Sequence, residues 1–506
     1  MSMLLQWFKG KPVWVLGAGV AGTWVAFDVV HSALMVGGDW LTLGLVAGGA
    51  GFWLAKRRKS TEIAAPKELR LGRSQVDKLL KITRDRLTVL ESESEESGSL
   101  APERAGYVSA WRSQLERLEA NLDWREVTAE RSLLLLGGRS TGKSALLDVL
   151  PQEMEGAMLK WSEQGALFDG DREEEDRAAL DKATAADGVV LVLAGDLTAT
   201  ELEVLQGLCA ADDVAGLRGT PCLPLVVLNK RDQWLPEEEQ EILQRVRQRL
   251  TGVLPASRVV SAAAAPREIK VRRFQEDGSK VEVMEQPKPA IAEVSTAVEA
   301  LLKTEASQLQ WGAPMRLLQG VLKEVQGELN GVRRSRAVAA IEQSQWIAAA
   351  AAFANPVPGL DLVATAAVNG QLVMDLGAVY QLSFDLDRAS AIAKTFGELM
   401  VKQGLVELSS QAIAGALKTN AMTYVAGGAL QGISAAYLTR VAGLTLVELF
   451  EAHAERVAIA GEADEKWLSP EQIGAVLQTT FTRVRDGFGW RDFLNQAVQR
   501  LSLSAA

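Results

Sequence analysis

Gly137-Gly138-Arg139-Ser140-Thr141-Gly142-Lys143-Ser144 spell G-x-x-x-x-G-K-S, a spacing that does phosphate chemistry. The glycines let backbone N–H groups turn inward around a β-phosphate, Lys143 neutralises β/γ oxygens, and the Ser144 hydroxyl can ligand Mg²⁺. Asp169, in Asp169-Gly170-Asp171-Arg172, adds a carboxylate on the metal side. Lys143 and Asp169 are thus the candidate catalytic residues, and Ser144 and Asp169 the candidate metal ligands. Further on, Asn229-Lys230-Arg231-Asp232 reads N-K-x-D. A carboxylate at Asp232 can accept from the N1–H and exocyclic amine of guanine, whereas adenine offers no matching donor pair, so GTP or GDP is the expected cofactor together with Mg²⁺. Asn229 is expected to tie this loop to the phosphate loop, and the Lys230 stem to cover one face of the base. The backbone of Ser261-Ala262 is expected at the guanine oxygen.

Strand ends must position these groups. The apolar run Leu133 to Leu136 predicts a buried strand feeding the phosphate loop, with a helix from Ala145-Leu146-Leu147 after it. Pro224 to Leu228 predicts a buried parallel strand ending at Asn229, and Val259 to Ala262 another; Ala166-Leu167-Phe168 predicts a short strand before Asp169. With each motif at a strand end and in this order, Gly137 to about Lys303 resembles the GTPase domain of the Era-like and dynamin-like, translation-factor-related class. The resemblance implies a Ras-like α/β P-loop fold that binds guanine nucleotide and Mg²⁺ and turns over GTP. Two departures bear on turnover. The usual D-x-x-G keeps its aspartate, Asp169, but lacks the glycine that senses a γ-phosphate. No threonine lies between Ser144 and Asp169, where family members supply one to Mg²⁺ and the attacking water, and the interval is too short for a full switch I plus an extra edge strand. No glutamine follows to position water. Asp171 and Glu173 remain as candidates, against the plainer reading of Asp171 to Asp176 as a solvated acidic run.

The N-terminus carries a second signal. Val13 to Val36 is mostly apolar, Gly37-Gly38-Asp39 breaks it, and Trp40 to Ala55 is apolar again before Lys56-Arg57-Arg58-Lys59. Lys9 and Lys11 flank the other side, so the positive-inside rule predicts a transmembrane helical hairpin with both ends cytoplasmic. The length of apolar material and its basic end argue against a cleaved signal peptide. Within it, Val13 to Gly22 also reads as a strand followed by G-x-G-x-x-G, but a doubly wound domain has no room there, and small residues that let two membrane helices pack explain the glycines better. Asp28 and His31 point either to a partner helix or to the far headgroups.

With 506 residues, 48% of them hydrophobic and 23% charged, the chain has room for two or three domains with substantial cores. Cys209 and Cys222 are the only cysteines, which argues against a disulfide scaffold, and a net charge of −10 argues against nucleic-acid partners. His31 and His453 alone leave no histidine triad or zinc spacing. The organisation expected is a hairpin over 1–60, a helical linker or stalk over 61–128, a GTPase domain over 129–303, and an Ala-rich helical domain over 304–506. The linker holds helices at Pro66 to Leu90 and Pro102 to Leu122 around an acidic linker, Glu91 to Ser99. Alternation around Asp277-Gly278 predicts an exposed β-hairpin inserted near 268–285, before a last helix at Ile291 to Leu302. Pro356 to Asp361, P-x-P-G-x-D between Ala-rich helices, resembles the helical C-terminal domain of YcjF-like bacterial membrane proteins, which cyanobacteria fuse to Era-like GTPases. Asp361, Thr365 and Asn369 make one polar stripe there, favouring a buried bundle over further membrane spans. A helix start is predicted at Ser469-Pro470-Glu471.

Together these imply a membrane-anchored GTP-binding protein, integral to a bacterial inner or thylakoid membrane with its domains facing the cytoplasm. Its partners would be the nucleotide, the lipid bilayer and a second copy through the GTPase or helical domains. A nucleotide-holding scaffold without turnover and a dynamin-like remodelling enzyme are the rival readings.

Overall fold

The computed structural model describes residues 71–96, 102–128, 130–167, 173–210, 220–274, 280–354, 361–419, 427–460 and 467–487, with Phe493 and Gln496 beyond. The predicted hairpin with Asp28 and His31, the Asp169 motif, the Asp277-Gly278 turn and the Pro356 to Gly359 break lie outside the described residues.

Two helices, α1 (Arg73–Glu96) and α2 (Pro102–Val127), lead into an alternation of strand and helix: β1 (Arg131–Leu136), α3 (Lys143–Glu153), β2 (Leu159–Glu163), α4 (Glu173–Ala185), β3 (Gly188–Leu193), α5 (Ala199–Cys209), β4 (Leu225–Leu228), α6 (Pro236–Arg249) and β5 (Val259–Ser261). The five strands form one all-parallel sheet in the order β2-β1-β3-β4-β5. Side chains alternate across it. Leu133 and Leu135 of β1 join Leu146 and Leu150 of α3 on one face, while Leu134 and Leu136 join residues of α4, α5 and α6 on the other. Because helices cover both faces, β3 and β4 are buried at every position, which is why they read as unbroken apolar runs. No antiparallel strand flanks β2 among the described residues.

The strand beside β1 is not where the sequence puts it. Ala166 and Leu167 are not in a strand, and Phe168 lies outside the described residues: β2 ends at Glu163, and the chain then runs beside the phosphate loop, with Leu167 N donating to Gly137 O at 3.1 Å and its side chain buried. An antiparallel pair, β6 (Ile269–Phe274) and β7 (Lys280–Glu285), projects ahead of α7 (Ala292–Thr304).

The 49-residue helix α8 (Ala306–Ala354) runs from the α/β layer into a helical bundle. Its first half buries Trp311, Leu318, Leu322 and Leu329 against Leu79, Leu90 and Leu115 of α1 and α2. Its second half packs on α9 (Asp361–Val379) and α12 (Gly427–Ala460), with α10 (Leu386–Lys402), α11 (Leu405–Thr419) and α13 (Pro470–Gly487) closing the bundle. A methyl group on Gly443 of α12 would lie 2.6 Å from Ile341 of α8, so this contact requires glycine. Gln431–Val457 of α12 is long and apolar enough to cross a membrane, yet 67% of its apolar window is buried inside the protein, the pattern of a core helix. Of the polar stripe on α9, Asn369 is half-buried with its Oδ1 unpaired; the side chains of Asp361 and Thr365 lie outside the described residues.

The expected acidic linker Glu91 to Ser99 is helix as far as Glu96, and residues 97–99 lie outside the described residues. α1 continues through Glu96, and Glu93, only 8% exposed, accepts hydrogen bonds from Arg333 of α8 at 2.7 and 3.1 Å, from Arg336, and from Gln381 at 3.1 Å. Arg333 is 1% exposed. Arg333→Met removes the bidentate partner of buried Glu93 and leaves it Arg336 and Gln381, so the substitution is expected to cost about 2 kcal/mol, read as a lower midpoint of chemical unfolding.

Candidate functional site

The phosphate loop closes through three left-handed backbone positions. Gly137 (φ 151°), Ser140 (φ 58°) and Gly142 (φ 92°) turn the chain from β1 into α3. A Cβ on Gly137 would meet Val192 O at 2.4 Å, and one on Gly142 would meet Asn229 Nδ2 at 2.2 Å, so both glycines are required sterically as well as by φ. Gly138 and Arg139 sit in the turn, Arg139 exposed, and Thr141 is buried with its hydroxyl donating to Gly138 O at 3.1 Å. Lys143, at the first turn of α3, donates to Gly137 O and Gly138 O, both at 2.9 Å. Burial pulls its ammonium below the ordinary lysine value, an effect partly opposed by the Glu163 carboxylate.

β4 delivers the second loop. Asn229 is buried, donates from Nδ2 to Thr141 O at 3.0 Å, and accepts at Oδ1 from Ala264 N at 3.1 Å. One amide thus joins the loops after β1, β4 and β5. Lys230 is left-handed (φ 64°), which swings Asp232 onto a short 3₁₀ turn at the surface, where its Oδ2 accepts from Arg267 N at 3.0 Å.

The third loop differs in detail from expectation. Ser261 and Ala262 are buried at the end of β5, but the Ala262 amide donates to Leu228 O at 2.8 Å as a rung of the sheet, and the Ser261 amide donates to Glu293 Oε2 at 3.3 Å. Ala263 N donates to Ala290 O. These amides hold the loop rather than face its mouth. Glu293, on α7, also accepts from Arg231 at 3.0 Å and so ties the N-K-x-D loop to β5.

The sequence reading missed Glu163. Ser144 Oγ donates to its two carboxylate oxygens at 2.9 and 3.1 Å, so a carboxylate lies against one of the two expected metal ligands. Asp169 and Asp171 lie outside the described residues, as does the side chain of Glu173. A hydroxyl and a carboxylate are hard oxygen donors of the kind Mg²⁺ accepts beside phosphates, so Ser144 fits a metal ligand. The sequence signal for Glu163 was the alternation of Leu159 and Trp161 along β2, which Glu163 continues in the same parity and which the misplaced strand hid.

Residues 316–486 match a family described as a domain of unknown function (DUF697). The match covers less than half of the chain, from α8 to α13. No curated protein matches. Among solved structures, a GTP-binding protein from the hyperthermophilic archaeon Sulfolobus solfataricus in complex with GDP is 15% identical with a TM-score of 0.21, covering 38% of this chain and 62% of that one. This chain therefore spans less than two thirds of that structure's length. LeoA, a bacterial dynamin GTPase from ETEC, is 10% identical with a TM-score of 0.25, covering 86% of this chain and 100% of that one. Likenesses this distant carry no functional weight, and the geometry of the site has to.

Gly142→Ala tests that geometry. It is expected to displace Asn229, leave Thr141 O and Ala264 N unpaired, and lower stability by about 2 kcal/mol or more. Gly156→Ala, also at positive φ (99°) but with nothing within 4 Å of its Cβ, should cost only about 1 kcal/mol in the same unfolding assay.

Proposed function

We propose that this chain is a membrane-anchored guanine-nucleotide-binding protein and a slow GTPase, whose nucleotide state is passed to its helical domain. The observation that carries the reading is Asn229, whose side chain joins the phosphate loop to the loop beyond β5 while its own loop presents Asp232. Phosphate-cradling and base-reading chemistry would thereby meet at the carboxyl ends of the strands, the position at which open parallel sheets bind ligands. Lys143 would meet the β/γ-phosphates, Gly137 to Ser144 would surround them, and Asp232 with the Lys230 stem would take the base. Mg²⁺ would supply charge neutralisation between phosphate oxygens.

Slow turnover is supported by the absence of a threonine between Ser144 and Asp169. An added catalytic group from a second copy or from lipid contact can be worth about 10³-fold, so turnover is expected to rise with protein concentration or liposomes. The same missing threonine favours, as a second reading, a nucleotide-holding scaffold; no stimulation under any of these conditions supports that reading instead. The membrane anchor rests on the apolar segments before Lys59: a chain lacking residues 1–59 is expected to leave the membrane fraction, and its retention there would remove the hairpin from the account.

Base choice is the direct test. GTP should displace a fluorescent GDP analogue and ATP should not. Asp232→Asn should weaken GTP by about 2–3 kcal/mol and improve xanthosine triphosphate, whose base reverses the donor pattern. Equal competition by ATP and GTP at the wild-type site would sink the assignment.

A further inference from the structure

β2 lies parallel to β1 with Glu163 in register with Leu135, the residue two before Gly137. Gln164 N then donates to Leu135 O at 3.1 Å, so the pairing runs past Glu163 and fixes its backbone beside the phosphate loop. Its exposed carboxylate meets the Ser144 hydroxyl through both oxygens, at 2.9 and 3.1 Å, at the first turn of α3. Placed alone beside a bound triphosphate, this carboxylate would repel it. A divalent cation between them reverses the sign. Among the described residues no group of three or more His, Cys, Asp or Glu side chains could hold a metal unaided. Mg²⁺ keeps waters and takes one or two protein oxygens plus substrate phosphates, a demand that the Ser144 hydroxyl and the Glu163 carboxylate can meet.

We propose that Glu163, together with Ser144, holds the divalent cation that accompanies the nucleoside triphosphate, the role the sequence pattern gives to Asp169. The assignment rests on the nucleotide-site reading above. It follows that the chain's metal carboxylate comes from the carboxyl end of β2, its backbone held by strand pairing, and not from the D-x-x-G position.

The two possible roles of Glu163 separate by metal dependence. A non-hydrolysable fluorescent GTP analogue is titrated into full-length wild type, Glu163→Gln, Glu163→Asp and Asp169→Asn, each in Mg²⁺ and in EDTA. For a metal-holding carboxylate, Glu163→Gln is expected to weaken binding 10–100-fold in Mg²⁺ while leaving it equal or tighter in EDTA. Glu163→Asp should recover part of the loss, and Asp169→Asn should keep the wild-type ratio between the two media. Manganese bound together with GDP, followed by its paramagnetic resonance signal, should be lost in Glu163→Gln and kept in Asp169→Asn. Tighter binding of Glu163→Gln in both media would make Glu163 a mere competitor of phosphate and overturn the proposal, as would loss of metal dependence in Asp169→Asn alone. Failure of wild type to bind the analogue in either medium would instead strike the nucleotide-site reading, and this assignment would fall with it. Glu163 is exposed, so an unchanged unfolding midpoint is expected and separates lost metal from lost fold.

Discussion

The side-chain amide of Asn229 is the interaction on which the candidate site depends. Backbone polar groups turned away from their ladder need other partners, and the left-handed loop after β1 leaves Thr141 O without one in α3. Asn229 supplies it from β4 and is itself held by Ala264 N beyond β5. Gly142 is glycine because that amide lies against it. The glycine-rich loop after β1 and the N-K-x-D loop after β4 are therefore set by one buried group, whose own backbone N–H is fixed to Leu193 O of β3 at 2.8 Å. Neither loop is shaped independently of the sheet.

A second set of contacts ties this layer to the helices. Arg316 of α8 donates to Thr184 O at 2.9 Å and Ala186 O at 2.6 Å, capping the carboxyl end of α4, the helix that follows the Asp169 motif. Arg125 of α2 pairs with buried Asp187 at 2.6 Å, and Asp187 accepts from the Ser132 amide of β1 at 2.8 Å. A displacement of α4 or β1 thus meets α8 and α2 through charged hydrogen bonds, and α8 continues unbroken to the Glu93–Arg333 pair and the bundle core. The proposed coupling of nucleotide state to the far helices requires this shared element to have two arrangements that the site biases.

What the sequence disclosed follows from how tightly each feature constrains residue type. The phosphate loop and N-K-x-D were legible because positive φ, close approach and hydrogen-bond valence admit few residues at Gly137, Gly142, Asn229 and Asp232. The parallel strands were legible because two-sided burial demands continuous apolar runs. β2 was not, since as an edge strand it is half-exposed and only Trp161 and Leu159 mark it, so the apolar pair Ala166-Leu167 looked more strand-like while in fact running beside the phosphate loop. Glu163 was hidden with it. The acidic stretch Glu91 to Glu96 read as a linker because its partners, Arg333, Arg336 and Gln381, lie far away in sequence and no local pattern predicts a buried carboxylate. Ser261-Ala262 was found by motif, but its amides serve the sheet and Glu293, a distinction that only the hydrogen-bond geometry makes.

Hydrogen–deuterium exchange of the full-length chain with saturating GDP or ADP tests the central claim most directly. The account predicts that GDP slows exchange at the amides of residues 137–144, in the loop 229–232 and around 261–267, while ADP leaves the last two segments unchanged. Protection confined to the phosphate loop, or equal for the two nucleotides, would contradict it.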